Sequence, residues 1–155
     1  MTLFASSFYD WVLFSHVLAA MIWVGGVAVL SALVSRVLRS GDSGQIAGFT
    51  GSLRIIGPLL LAPPPAIVLG AGIWMVLKSW HFGQGWVVLG LSLFAAAFLF
   101  GVVFQSRAAI AAERAANAGN PEKAARFLRR WSWGTRLTLL LLVVATWDMV
   151  LKPGF

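Results

Sequence analysis

The sequence contains no cysteine and few charged residues. The absence of cysteine from all 155 residues excludes disulfide bonds, thiolate metal sites and cysteine nucleophiles. Charged residues make up 11% of the chain, whereas a soluble domain carries about a quarter. A paired acidic dyad, a phosphate-binding glycine loop, an HExxH motif and a Ser–His–Asp set are also missing. The common signatures of soluble enzymes are therefore absent.

Long apolar runs take the place of charge in this chain. Hydrophobic residues make up 59% of it, and most lie in four runs, roughly Phe8–Val34, Ile55–Leu77, Trp86–Phe104 and Leu137–Leu151. Each run approaches or exceeds the ~20 residues that a helix needs to cross a ~30 Å hydrocarbon core, the fourth if Arg136 snorkels from its inner end. The sequence therefore predicts an all-α fold, a four-helix transmembrane bundle that forms a single domain over residues 1–155.

The segments between the runs predict the course of the chain. Pro58 and the run Pro63–Pro65 lack backbone donors, so we expect a kink or unwound turn in the second helix between Gly57 and Pro65. The third helix continues beyond the membrane towards Ala116. Asn120 is a favourable N-cap before Pro121, which predicts that the fourth helix also begins outside the membrane. Helices 3 and 4 should extend into the cytoplasm together.

The positive charge is concentrated in two of the connecting segments. Ten of the twelve lysines and arginines lie between helices 1 and 2 or between helices 3 and 4. The positive-inside rule makes these segments cytoplasmic and places both termini outside. Membrane topology and contact with anionic lipid headgroups account for this placement, and therefore for the net charge of +7. We expect membrane lipids as partners and no nucleic acid.

His16 is the strongest candidate for chemistry. It lies about two turns into the first helix, and Ala20 and Trp23 share its face at i+4 and i+7. An ionisable side chain inside hydrocarbon is costly and usually faces the bundle interior, where it binds a ligand or relays protons. Neutral imidazole is also a common ligand for transition metals and haem iron. The alternative is a hydrogen bond between helices that only stabilises the bundle.

A second set of residues is chemically suited to copper. Met75, His81 and Met149 should lie near the same outer end as His16, and thioether and imidazole ligands together suit Cu(I). No pair among them has a chelating i, i+4 spacing. Asp148 stands alone in the last apolar run, where we expect it either to orient an imidazole or, more simply, to pair with Lys152 at i+4.

Arg54 offers a binding site for anions at the inner end of the second helix. Its guanidinium can either snorkel to the membrane surface or bind anionic groups such as haem propionates or lipid phosphates.

Three features resemble known membrane families: the segment from His16 to Gly26 with Trp23 and Gly25 within it, the closing segment Trp147–Gly154, and the four-helix layout. Over nearly the whole chain the sequence resembles small bacterial integral membrane proteins of unknown function. That family is similar to the membrane domain of copper-resistance protein D (CopD) and distantly to the HemJ-type protoporphyrinogen oxidases.

The resemblance implies a site and a location. It implies a multi-pass protein of the bacterial cytoplasmic membrane, with His16 as a haem b or metal position, Trp23 as its companion and Arg36 in the basic stretch that follows the first helix. His16, Trp23, Arg36 and Arg54 are thus the candidate cofactor-binding residues, and His16, Met75, His81 and Met149 the candidate metal ligands.

Three classes of function remain open from the sequence. The first is a haem- or metal-binding membrane protein, redox-active or not, with His16 as ligand. The second is a copper-handling transporter of the CopD type. The third is a non-catalytic bundle that acts as a homo-oligomer or as a subunit of a larger membrane complex. Whether the protein is an enzyme stays open.

The charge distribution predicts the orientation directly. A reporter that is active only in the cytoplasm should be inactive when fused after Phe155, because both termini lie outside. The same reporter inserted in the segment 117–120 should be active. Cytoplasmic activity of the C-terminal fusion would contradict the orientation.

Overall fold

The computed structural model describes residues 7–153, and these residues form helices joined by short turns. The helices are α1 (Phe8–Ser40), α2 (Ser43–Leu61), α3 (Pro63–Ser79), α4 (Gly85–Phe100), α5 (Ser106–Asn117) and α6 (Pro121–Leu151), and a π-helical turn, Gly101–Gln105, joins α4 to α5. They make four segments long and apolar enough to cross a membrane: Phe8–Ser40, Ser43–Ser79, Gly85–Asn117 and Pro121–Leu151. The predicted all-α, four-span fold is confirmed. Residues 1–6 and 154–155 of the predicted domain lie outside the described residues.

The helix ends follow the capping signals of the sequence. Ser7 and Asp10 form a capping box at the start of α1, and Gly41, the C-cap residue that follows Ser40, lies in the left-handed region with φ 67°. The Asn120 side chain accepts a hydrogen bond from the Lys123 amide at 3.0 Å, as expected for the N-cap of α6. We call the end of the bundle with the 41–42 and 118–120 turns the basic end, and the opposite end, where α1 begins and α6 finishes, the terminal end.

The second span is interrupted at Ala62, inside the predicted window. Because Pro63–Pro65 have no amide hydrogens, the carbonyls of residues 59–61 lose their usual helical donors. The Ala62 amide still donates to the Pro58 carbonyl at 3.0 Å, and α3 then restarts with prolines in its first turn. The interruption therefore follows from backbone chemistry alone.

The third span is interrupted as well, by the π-helical turn. The Ser106 amide donates to the Gly101 carbonyl, which is an i→i+5 bond. Within this turn the buried Gln105 amide nitrogen donates to the Thr138 hydroxyl of α6 at 2.5 Å. The hydrogen bond ties the irregular turn to the neighbouring span.

Packing arranges the four spans around a shared interior. α1 packs against α3 and α6, α6 packs against α4 and α5, and α2 packs against α5. One core cluster lies near the basic end and includes Val34, Ala124 and Leu128. Another lies in the middle of the bundle and includes Trp23, Ala97 and Leu142. In the half towards the terminal end, α3 packs mainly against α1, and a third core cluster joins Val76 of α3 to Trp86 and Val87 of α4.

Leu128 should be the more important of two leucines on α6. Its side chain is fully buried, whereas Leu140 on the same helix is 59% exposed. Leu128→Ala should lower the free energy of unfolding by about 2–5 kcal/mol because it leaves a cavity. Leu140→Ala should change it by much less. Unfolding of the detergent-solubilised variants measures both, and equal effects would contradict this packing.

Candidate functional site

His16 faces the bundle interior, as predicted. Its Nδ1 lies 2.9 Å from the Val68 carbonyl oxygen of α3. A carbonyl only accepts hydrogen bonds, so Nδ1 must carry the hydrogen that is donated. In a neutral imidazole this leaves Nε2 without a hydrogen and with its lone pair available. The contact therefore selects the tautomer that can act as a ligand through Nε2.

Gly72 makes room for this imidazole. A Cβ atom added at Gly72 would lie 3.2 Å from Cε1 and 3.6 Å from Nδ1 of His16. Gly72 follows Val68 by one helical turn, so a small residue stands next to the carbonyl that the ring contacts. The close approach of the α1 ring to α3 depends on this missing side chain.

His16 borders a cavity of 270 Å³, which we call the histidine cavity. Ala20 and Trp23, predicted to share its face of α1, border it too. Trp23 is 2% exposed, and its indole Nε1–H has no hydrogen-bond partner among the described residues. Buried donors are seldom left unpaired in folded proteins. The cavity thus has a ligand-competent imidazole and an unsatisfied donor in its wall.

Two of the predicted sulfur ligands border the same cavity. Met75 of α3 and Met149 of α6 both line it, so the structure brings His16, Met75 and Met149 together. His81 does not line the cavity, because it is exposed in the turn between α3 and α4. Among residues 7–153, no three histidine or carboxylate side chains cluster as a metal site.

The two predicted arginines lie away from His16. Arg36 is exposed on α1, twenty residues from His16, which is about 30 Å along the helix. The Arg54 side chain is 79% exposed and forms an ion pair with Glu113 at 3.9 Å. Neither arginine lines the histidine cavity. The structure therefore does not bring them to the imidazole.

Asp148 is a residue whose environment differs from the expected one. It is completely buried, and neither carboxyl oxygen has a hydrogen-bond partner among the described residues. The expected pair with Lys152 does not form, because the Lys152 backbone turns into the left-handed region and its ammonium lies 4.1 Å from the centre of the Trp80 ring. That arrangement gives Lys152 a cation–π contact instead of an ion pair.

Asp148 and His16 lie at a similar depth in the bundle. Trp23 and Leu142 belong to one core cluster. His16 is seven residues from Trp23 and Asp148 is six residues from Leu142, about 10 Å and 9 Å towards the terminal end. The sequence indicated a lone carboxyl in this run, but only the packing of α6 against Gly90 shows that it is buried.

A second cavity of 780 Å³ lies closer to the basic end, and we call it the large cavity. It is bordered by both helix irregularities, through Ala62 in the second span and Gln105 in the third. Leu69 and Phe94 border both cavities, so the two adjoin. Arg54 and Glu113 stand in the wall of the large cavity.

Comparison with known proteins identifies the family. The family model described as "Predicted integral membrane protein (DUF2269)" matches residues 10–153. The chain belongs to this family. The match includes three of the four spans of this DUF2269 protein in full, the first span except its first two residues, and every residue that borders the two cavities except Tyr9. No curated protein and no solved structure matches it. The expected uncharacterised membrane family is confirmed, whereas the similarity to CopD and HemJ-type proteins stays a prediction.

The tautomer of His16 can be tested in this DUF2269 protein by ¹⁵N NMR of labelled histidines. His16 should show a protonated Nδ1 and an unprotonated Nε2. Gly72→Ala should shift the His16 Nδ1 signal, because the ring must move by a few tenths of an ångström. Gly70→Ala is the matched control, since an added Cβ there meets nothing within 4 Å. An Nε2–H tautomer, or equal shifts in both variants, would contradict the geometry.

Proposed function

We propose that this DUF2269 protein binds a haem or a soft metal ion through Nε2 of His16. The observation that carries the proposal is the hydrogen bond from His16 Nδ1 to the Val68 carbonyl. Histidines that ligate metals almost always donate their other ring N–H to a carbonyl, carboxylate or water, which fixes the tautomer and the ring orientation. His16 donates its Nδ1 hydrogen in this way to the Val68 carbonyl, and it borders the histidine cavity.

The other groups around the histidine cavity suit the same role. Met75 and Met149 offer thioether sulfurs, which together with imidazole suit Cu(I) and which also serve as the second axial ligand of some haem proteins. The unpaired indole N–H of Trp23 can donate to a group bound in the cavity. Bound haem or copper would supply one-electron chemistry, while these side chains hold it and exclude water.

The size of the cavity bears on which group is bound. Sites for small molecules usually enclose roughly 300–1,000 Å³, and the histidine cavity has 270 Å³. A metal ion fits this volume. A haem would extend past Leu69 and Phe94 into the adjoining large cavity. Arg36 borders neither cavity, whereas Arg54 borders the large cavity.

Copper handling is the second candidate, favoured by the two methionines in one cavity wall. In that function His16, Met75 and Met149 bind Cu(I), and His81, in the exposed turn at the terminal end, is a point of entry. A non-catalytic subunit of a membrane complex is the third class. In it the His16 contact would serve only to hold α1 against α3.

Optical spectroscopy and metal analysis of detergent-purified protein separate the three functions. A Soret band indicates haem, bound copper without a Soret band indicates copper handling, and neither indicates a structural subunit. His16→Ala should reduce occupancy by at least tenfold because the ligand is lost, whereas His81→Ala should reduce it much less. Full occupancy in His16→Ala, or wild-type protein without haem or metal, would contradict the proposal.

A further inference from the structure

The interior of the large cavity presents an apolar surface despite several polar residues in its wall. The Thr50 hydroxyl donates to the Ala47 carbonyl at 2.9 Å, and the Thr135 hydroxyl donates to the Trp131 carbonyl at 2.8 Å. Gln105 donates to the Thr138 hydroxyl. The hydroxyl hydrogens of both threonines and one amide hydrogen of Gln105 are thus used within the protein. The remaining wall is mostly aliphatic and aromatic, so this interior suits hydrocarbon.

Charge is confined to one end of the large cavity. Arg54 on α2 and Glu113 on α5 face each other there at 3.9 Å. With the Arg54 side chain 79% exposed, this ion pair is weak. A guanidinium has five donors and binds phosphate oxygens in a bidentate geometry. Arg54 therefore has donors to spare for a further anion at the mouth of the cavity.

The length of the cavity matches one leaflet of a membrane. Phe98 and Glu113 both border it and are fifteen residues apart along the third span, which is about 22 Å. One leaflet is about 15 Å thick in its hydrocarbon part and about 20–22 Å thick with its headgroup region. The cavity is thus long enough for an acyl chain with a polar headgroup at the basic end.

A seam between the second and third spans gives lateral access. α2 packs against α5 near the basic end, and Val76 of α3 packs with Trp86 and Val87 of α4 near the terminal end, so the seam lies between these two contacts. The large cavity is bordered by residues of both sides of this seam, among them Ala66 and Phe98. A molecule dissolved in the bilayer can enter there without crossing water.

We propose that the large cavity binds one phospholipid from the leaflet at the basic end, with its phosphate at Arg54 and an acyl chain along the wall towards Phe98. A lipid-soluble carrier with a polar ring deep in the bundle fits less well, because the hydroxyl hydrogens of Thr50 and Thr135 and one amide hydrogen of Gln105 are already used within the protein. His16 does not border the large cavity, so this proposal does not rest on the proposed function, although a haem that extended past Leu69 and Phe94 would share the deep end of the cavity.

Native mass spectrometry of delipidated protein tests whether the phosphate of the headgroup contributes to binding. Dioleoyl phosphatidylglycerol should form a 1:1 adduct, and dioleoylglycerol, which has the same chains without phosphate, should bind about tenfold more weakly. Arg54→Gln should weaken phosphatidylglycerol binding by about tenfold, in keeping with the loss of a charge-assisted hydrogen bond. Arg107→Gln, an exposed change outside the cavity wall, should leave it unchanged. Inorganic phosphate should not displace phosphatidylglycerol from the protein, because it has no acyl chain to occupy the cavity.

Two glycine variants on α2 test whether the acyl chain of the lipid lies in the large cavity. An added Cβ meets nothing within 4 Å at Gly57, which borders the cavity, or at Gly51, which does not. Gly57→Leu should therefore fill cavity space and weaken the adduct, whereas Gly51→Leu should not. A wild-type protein without the 1:1 adduct would overturn the proposal. If Arg54→Gln bound like wild type, the phosphate would not lie at Arg54, and the proposal would also be overturned. The same holds if Gly57→Leu bound like wild type, because the acyl chain would then not lie in the large cavity.

Discussion

Hydrocarbon offers no water to a polar group, and most features of this bundle follow from that constraint. Hydroxyls in the spans bond to carbonyls of their own helix, as Ser92 does to Val88 and Thr146 to Leu142. The imidazole of His16 cannot do this, so it bonds across to the Val68 carbonyl of α3. That single contact orients the ring and fixes its tautomer. Among residues 7–153, the buried side chains of Trp23 and Asp148 have polar atoms without a hydrogen-bond partner, and both lie in the half of the bundle that contains His16.

The two helix interruptions explain why a small bundle has so much internal space. Straight helices of this length could pack along their whole contact. Here the second span breaks at Ala62, and the third contains a π-helical turn at Gly101–Gln105. Both interruptions border the large cavity. The large cavity adjoins the histidine cavity at Leu69 and Phe94, so internal space extends from the basic end to the histidine cavity. One architecture thus provides a candidate ligand site and a candidate lipid site.

The sequence was informative wherever the backbone or the solvent decides the outcome. Apolar runs predicted the spans, Pro63–Pro65 predicted the break, and Asn120 predicted the start of α6. It was silent on the π-helical turn, since Gly101–Gln105 contains no residue that demands one. It also indicated the wrong partner for Asp148. Spacing favoured Lys152, but the left-handed backbone at Lys152 directs the ammonium to Trp80.

The candidate site was predictable only in part for a similar reason. His16 and Trp23 lie on one helix, so their shared face follows from helical geometry. Met75 and Met149 reach the same cavity through the packing of three helices, which no local pattern encodes. His81 and Arg36 were grouped with His16 by chemistry and by resemblance. The turn between α3 and α4 and the length of α1 keep them away from it.

X-ray absorption spectroscopy at the edge of the metal bound by the purified protein, or of Cu(I) added to it, tests directly whether His16 is a ligand. We expect an imidazole nitrogen in the first coordination shell, present in wild type and in His81→Ala and lost in His16→Ala. A shell without imidazole nitrogen, or one that is unchanged in His16→Ala, would contradict the assignment of His16 as the ligand.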